Sequence, residues 1–506
     1  MSTRRHVRAS TGEPETTTAL DEHRSRLSVG DVARSWLPLA TSWLVMGLEL
    51  PIVSSVMARL ADPEINLAAY GGVTMPIALL IEAPIMMLLS ASTALGRDLA
   101  SYRLMHRYMM AMGFVLTLIH AAFAFTPLFD LVVVPLIGPP DVVIGPARLG
   151  LQVTLPWTWA IAHRRYHQGI LIRFGRSRHV SFGTIVRVCA MTTTVLVAAL
   201  LGAPGIVAAG LAITTGVLVE ALYCRIAVAP VLAGALARAP AMEPPLDGRA
   251  FRAFYVPLAL TSLVSLLMQP LGSAAISRMP DALPSLAVWP VVGGLLFMFR
   301  SLGFAVNEVV VAHLDRPHAY LALRRFALLL TACITAAVAL IAFTPLSRLW
   351  FGIVSGLPDD LMRLATLGFA FALLWPALDV LRNLLQGVIV HGRRTRAITE
   401  SMIVFLIVSA TLLAVGTAWR AFPALPYTMA AFVLGTAAQV GWLWWRSRRL
   451  VAGFLMGPEG GSDLPAHVGS SVGPGARSGR ELGQAVSLSG RTTARARRDR
   501  SEPDRR

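Results

Sequence analysis

The sequence predicts an all-α polytopic membrane protein of about twelve transmembrane helices, arranged as two six-helix pseudo-symmetric lobes. Three observations predict it. Of 506 residues, 55% are apolar and only 14% charged. A soluble domain carries about 25% charged residues, and a chain this apolar would expose large apolar patches to water. The apolar residues also fall into twelve long runs, and the first six runs recur as the last six.

The runs are taken in chain order. A polar segment, 1–34, holds no short apolar core with a cleavage site, so it reads as a cytoplasmic N-terminal segment and not as a signal peptide. The N-lobe, 35–230, carries runs at 35–58, 67–95, 105–128, 148–172, 180–202 and 204–228. A linker at 231–250 follows, with three prolines and scattered charges. The C-lobe, 251–447, carries runs at 253–276, 284–313, 323–345, 360–390, 398–419 and 425–446. Each run reaches the ~20 residues that a helix needs to cross a bilayer. None has the two-residue alternation of a membrane barrel. The rest, 448–506, is rich in Gly, Ser and Arg, and reads as a basic disordered cytoplasmic tail.

All the basic residues are arginine, and the net charge is +17. The positives crowd the segments between runs 2–3, 4–5, 6–7, 8–9 and 10–11 and the two ends. The opposite loops hold only Arg59, Arg148, Arg278, Arg348, Arg363 and Arg420. The positive-inside rule then places both termini in the cytoplasm, which an even number of helices also requires. This flanking pattern speaks for a lipid bilayer as partner and against nucleic acid. The expected setting is a bacterial inner membrane, and the expected state a monomer. Cys189, Cys224 and Cys333 lie in apolar runs without CxxC spacing, so they read as small packing residues.

The duplication is long. Residues 38–97 align without gaps to 257–316, at an offset of 219. Pro38, Pro51, Ser54, Arg59, Asp62 and Arg97 meet Pro257, Pro270, Ser273, Arg278, Asp281 and Arg316. Further on the offset becomes 218: AFTPL at 124–128 recurs at 342–346, and GPPD at 138–141 recurs as GLPD at 356–359. Arg164, Gln168 and Gly169 meet Arg382, Gln386 and Gly387. Six is even, so both halves have the same topology and are related by an axis along the membrane normal. Two such lobes leave a cavity between them, and rocking one on the other gives alternating access.

Ionisable groups within apolar runs are costly, about 2.5–3.5 kcal/mol each at a helix centre on insertion scales. Glu49 and Glu82 share a Glu-x-Pro pattern near mid-run. Pro51 frees the carbonyl of Gly47 and Pro84 that of Leu80. A carboxylate beside a freed carbonyl suits a sodium ion or a proton, so these two are the candidate ion-coupling acids; a structural kink with a hydrogen-bonded glutamate is the alternative. At the matching Pro270 the preceding residue is Gln269, which cannot titrate, so the lobes are chemically unequal. Arg300, Arg382 and Arg164, with Gln168, Gln386 and Asn383, are candidate cavity contacts for an anionic solute. Arg164 and Arg382 alternatively snorkel to the nearby interface. Glu220, Glu308 and Asp379 neutralise these arginines or relay protons, and Asp379 and Arg382 can pair at i,i+3. Arg187 lies two turns inside run 5. His163 and His167 have an i,i+4 spacing without a third ligand, and His120 stands alone, so no metal site is expected. No P-loop or nucleophile elbow is present, so no cofactor is implied beyond a coupling H+ or Na+, and the chain does not read as an enzyme.

Run 4 ends in YHQGILIRFGRSR (166–178) and run 10 in LLQGVIVHGRRTR (384–396). These segments resemble those of multidrug-and-toxin extrusion (MATE) transporters and of their superfamily relatives, the oligosaccharidyl-lipid and polysaccharide flippases. Glu49, LAAYGG at 67–72, RD at 97–98, WTWAIAHRRYHQGIL at 157–171 and PLGSAAISRMPD at 270–281 are most similar to the progressive ankylosis (ANK-like) family within it. The resemblance covers about residues 35–447. It implies a MATE-like secondary exporter of a small solute, coupled to H+ or Na+ through a first-lobe acid whose place Glu49 matches. It also implies a phosphate-rich or carboxylate cargo such as pyrophosphate, ATP or citrate. The competing expectations are a flippase for a lipid-linked precursor and, more remotely, a membrane-embedded transferase.

Overall fold

A computed structural model describes residues 27–456 apart from 317–318, 393 and 395. The segment 1–26 and the tail 457–506 lie outside the described residues, and with them most of the expectations about the two ends. Twelve helical passes follow in order. The first six are α1 (Val29–Met57), α2 (Pro63–Leu95), α3 (Leu99–Phe125), α4 (Asp141–Arg173), α5 (Ser177–Leu200) and α6 (Gly205–Leu236). The second six are α7 (Gly248–Ser277), α8 (Ala282–His313), α9 (Ala319–Phe343), α10 (Asp359–His391), α11 (Arg396–Trp419) and α12 (Ala424–Met456). Ten are long and apolar enough to cross a membrane; α4 and α12 are the more polar two. The chain is an integral multi-pass membrane protein with six helices in each lobe.

The duplication extends to backbone conformation. Asp62 and Asp281, which match in the repeat, both adopt left-handed φ, at 48° and 56°, immediately before α2 and α8. Gly138 and Gly356, the glycines of GPPD and GLPD, have φ of 67° and 72° and end the short helical segments before α4 and α10. The first helix of each lobe is broken at the same place. In α1 the break is at Leu48, two residues before Leu50-Pro51, and in α7 it is at Leu267, just ahead of Pro270. Proline has no amide to give to the carbonyl four residues back, and the helix bends there.

Ahead of the breaks, each first helix leans on the opposite lobe. Trp36 of α1 donates Nε1–H to the Leu302 carbonyl of α8 at 2.9 Å, and Trp43 meets Phe304 edge to face. Tyr255 of α7 donates its hydroxyl to the Pro84 carbonyl of α2 at 2.5 Å. Elsewhere along the seam the lobes touch through small residues. A Cβ on Gly71 of α2 would come within 2.4 Å of Pro290 of α8, and one on Gly294 within 3.0 Å of Pro51. Contact that close needs the missing side chain.

The glycine of each QG pair has a similar task within its lobe. A Cβ on Gly169 of α4 would stand 1.8 Å from the Ser92 hydroxyl of α2, and one on Gly387 of α10 2.7 Å from Val310 of α8. Between the lobes, Asp98 caps α3 by accepting from the Ser101 amide at 2.8 Å, and its other oxygen accepts the Met242 amide at 3.0 Å. The connection is thereby tied to the α2–α3 turn. It spans 237–247, shorter than the expected 231–250, because α6 continues to Leu236 and Asp247 caps α7. At the other end, α12 continues to Met456, past the expected lobe boundary at 447. Leu450 packs over Gly392 and Phe454 stacks on Tyr320, which gives the last turns an apolar face to bury. Residues 448–456 are therefore helix, which corrects the expectation of a disordered tail from 448.

Candidate functional site: two charged centres

The N-lobe centre is built from α1, α4, α5 and α6. Glu220 of α6 is fully buried and accepts from Arg164 of α4 at 2.8 Å and from Gln168, one turn on, at 2.9 Å. Arg187 of α5 approaches the same carboxylate at 3.2 Å through Nε and pairs with Glu49 through Nη2. Glu49 stands on the first turn after the α1 break. The result is an unbroken charge chain from α4 to α1, with two guanidiniums and two carboxylates in balance.

Glu82 stands apart. It is fully buried in α2, and neither of its oxygens meets a donor in bonding geometry among the described residues. Its polar neighbour is Thr158 of α4. Thr158 bonds His120 Nδ1 at 2.8 Å, and His120 Nε2 lies 3.0 Å from the Leu151 carbonyl. A carbonyl only accepts, so Nε2 carries the hydrogen and Thr158 donates to Nδ1. Arg165 is half-buried next to Arg164, and its Nη2 lies 4.0 Å from the Met86 sulfur.

The C-lobe centre lies beside the α7 break. Asp379 of α10 is fully buried and holds two guanidiniums, Arg382 at 3.0 Å on its own helix and Arg300 from α8. Arg300 also lies over the Trp375 ring, 4.2 Å from its centre. A cavity of about 200 Å³ opens here, with Arg300, Arg382, Gln269, Trp375, Phe432 and Gln439 in its wall. Two cations share one anion, so the wall carries one positive charge in excess. Such a lining of flat rings and guanidiniums suits a carboxylate or phosphate.

The residues singled out in the sequence divide between these centres. Glu49, Arg164, Gln168 and Glu220 meet in the first, and Arg300, Arg382 and Asp379 in the second. Asn383 is buried one turn from Asp379 and donates to its backbone carbonyl at 2.7 Å, so its amide braces the helix. Gln386 is half-buried and faces neither centre through a hydrogen bond among the described residues. Glu308 is exposed on α8 beside Trp43, with no ion pair among the described residues. Arg164 is buried against Glu220 and does not snorkel. Sequence reasoning missed the Thr158–His120 pair and the wall residues Trp375, Phe432 and Gln439. These lie at ordinary apolar-run positions, and only the fold brings them together. No group of three or more metal-ligating side chains occurs among the described residues.

No family model matches the sequence, and no curated protein matches it either. Solved structures do. A multidrug resistance MATE family transporter of the MOP superfamily, in an inward-facing conformation, superimposes with a TM-score of 0.63 at 16% identity, over 83% of this chain and 98% of that one. A mutant of the Vibrio cholerae MATE transporter VcmN gives 0.61 at 16%, over 84% and 98%. The lipid II flippase MurJ, in an inward closed conformation, gives 0.57 at 12%, over 82% and 90%. A MOP superfamily transporter from Pyrococcus furiosus, described as having a binding pocket of reverse polarity, gives 0.56 at 16%, over 83% and 96%.

Proposed function

We propose that this MATE-like fold is a secondary active transporter that moves a small anionic solute outward by alternating access. The observation that carries the reading is the sharing of Asp379 by Arg300 and Arg382 in an aromatic-walled cavity. One guanidinium there lacks a fixed counter-charge, and an anionic cargo supplies it. The resemblance to the progressive ankylosis family points to the same cargo class, pyrophosphate or citrate. Arg164 belongs instead to the coupling centre, because Glu220 already satisfies it.

Glu49 is the coupling acid in this reading, and the proton is its ion. Arg187 already pairs with one oxygen of the Glu49 carboxylate, which leaves fewer oxygens there for a sodium ion. A proton needs no shell of oxygens, and it frees Arg187 from Glu49. Glu82, buried and without a donor in bonding geometry among the described residues, supports it. Positive-inside orientation puts the 237–247 connection and both termini in the cytoplasm.

The test is uptake by purified protein in proteoliposomes of pyrophosphate, citrate and a cationic dye, each with and without a pH or sodium gradient. Anion movement driven by a pH gradient supports the proposal. Dye movement alone overturns the anionic cargo. If neither class moves, the flippase reading replaces it, and a lipid-linked pyrophosphate becomes the substrate to try.

A further inference from the structure

Two arginines that the charged centres do not use occupy matched places in the repeat. Arg59 follows the end of α1 by two residues and Arg278 caps α7, on the side of the membrane opposite the connection. Each reaches across to the other lobe. Arg278 donates to the carbonyls of Ile137 at 2.8 Å, Pro135 at 2.8 Å and Leu136 at 3.1 Å, the last turn before Gly138. Arg59 donates to the carbonyls of Ile353 and Val354, the latter at 3.1 Å, just before Gly356. Each also bonds its own helix four residues back, Arg59 to the Ser55 carbonyl at 2.6 Å and Arg278 to that of Ala274 at 2.7 Å.

We propose that Arg59 and Arg278 form a two-fold clasp that closes the solute pathway on the far side and must release for the solute to leave. This rests on the alternating-access reading above. Four features support it. The carbonyls are the unsatisfied ends of short helical segments, where a guanidinium is favourable. The glycines make room for it: a Cβ on Gly356 would stand 2.7 Å from Arg59 Nη1, and one on Gly138 3.4 Å from Arg278 Cζ. Neither arginine has an acidic partner among the described residues, so no ion pair fixes the closed state. Arg59 is exposed and Arg278 half-buried, so water can take over their bonds when the lobes part. Both charged centres lie below the clasp, Glu49 being ten residues, or about 15 Å of helix, from Arg59.

The experiment measures distances by double electron–electron resonance on full-length protein. Nitroxides are placed at Leu131 of the N-lobe and Leu349 of the C-lobe, both exposed, with Cys189, Cys224 and Cys333 replaced by Ala. The unsubstituted arginines are expected to give a dominant short distance. R59A/R278A is expected to move most of the population to a longer one, with each single variant in between. G356A keeps both charges but displaces Arg59, and is expected to shift the population as R59A does. It serves as the second readout if the double variant does not yield folded protein. Unchanged distances in R59A/R278A, or in both R59A and G356A, overturn the clasp. No solute enters this measurement: lengthened distances in a protein that moves no solute uphold the clasp and count against transport, while unchanged distances in an active transporter sink the clasp alone.

Discussion

Arg187 of α5 pairs through Nη2 with Glu49 at the point where α1 is broken, and the adjacent Nε faces Glu220 of α6. A single cation therefore ties α1 to α6 within the N-lobe. Neutralising Glu49 removes that tie while leaving Arg187 held by Glu220. Glu49→Gln is expected to lower proton-driven solute uptake ~10-fold or more, within the usual range of coupling energies. Exchange of labelled for unlabelled solute, which needs no gradient, is expected to survive. Equal loss of both modes would show that Glu49 serves the fold and not the coupling.

Asp379 presents the opposite situation, one buried anion between two cations. Removing one partner of a buried ionic group costs about 3–5 kcal/mol, because the other charge is left without compensation. Asp379→Asn is therefore expected to lower the thermal denaturation midpoint in detergent clearly, and Asp379→Asn with Arg382→Gln to recover part of the loss. A double variant as unstable as the single would remove the Asp379–Arg382 pair as the cause.

Arg300 is the guanidinium that faces the cavity from across the lobe, stacked on Trp375. Arg300→Ala removes one cation and one stacking partner. Solute affinity, read as the half-saturating concentration for uptake, is expected to weaken ~10-fold or more, since charged hydrogen bonds contribute about 1.5–3 kcal/mol each. Arg300→Lys keeps the charge but not the planar fork, and is expected to recover only part of the affinity. An unchanged half-saturation in Arg300→Ala would place the cargo elsewhere.

The fold was largely legible because its cues are local. Run length, the arginine flanks and the repeat each act through chain order, and Pro51 and Pro270 mark both helix breaks. The i,i+3 pairing of Asp379 with Arg382 was readable for the same reason. Pairings across helices were not. Glu220 chooses Arg164 over nearer chain neighbours because α4 and α6 pack side by side, and nothing in periodicity reports that. His120 looked solitary because Thr158, its partner, is 38 residues away on a different helix. The helical turns at 448–456 were missed because arginines at 446, 448 and 449 outweigh Leu450, Val451 and Phe454 in composition, although the apolar side chains decide the packing.

The QG glycines give a stability prediction that the repeat makes self-controlled. Gly169→Ala places a methyl 1.8 Å from the Ser92 hydroxyl and 2.4 Å from the Leu89 carbonyl, and backbone cannot step aside. Gly387→Ala meets the side chain of Val310 at 2.7 Å, which has more room to adjust. Overpacking of this kind costs about 1–3 kcal/mol. Both variants are expected to lose thermal stability, Gly169→Ala more, and Ser92→Ala is expected to rescue it only in part because the Leu89 carbonyl remains. Full rescue would mean that α2 and α4 can move apart freely.

The tie between Asp98 and Met242 gives a prediction for pH. Burial raises the Asp98 carboxyl, but the Ser101 side chain and the Met242 and Ser101 amides outweigh it and hold the group below the ordinary aspartate value. A depressed carboxylate contributes stability that is complete above its unfolded-state pKa and fades as pH falls through the folded-state value. The 237–247 connection is therefore expected to stay docked at neutral pH and to loosen only in strong acid. Hydrogen–deuterium exchange at the Met242 amide, corrected for intrinsic rates, is the readout. Asp98→Asn keeps one acceptor oxygen but loses the charge, and is expected to give faster exchange at pH 7 with little further pH dependence. A slow Met242 amide in that variant would show that the connection is held by its own turn and not by Asp98.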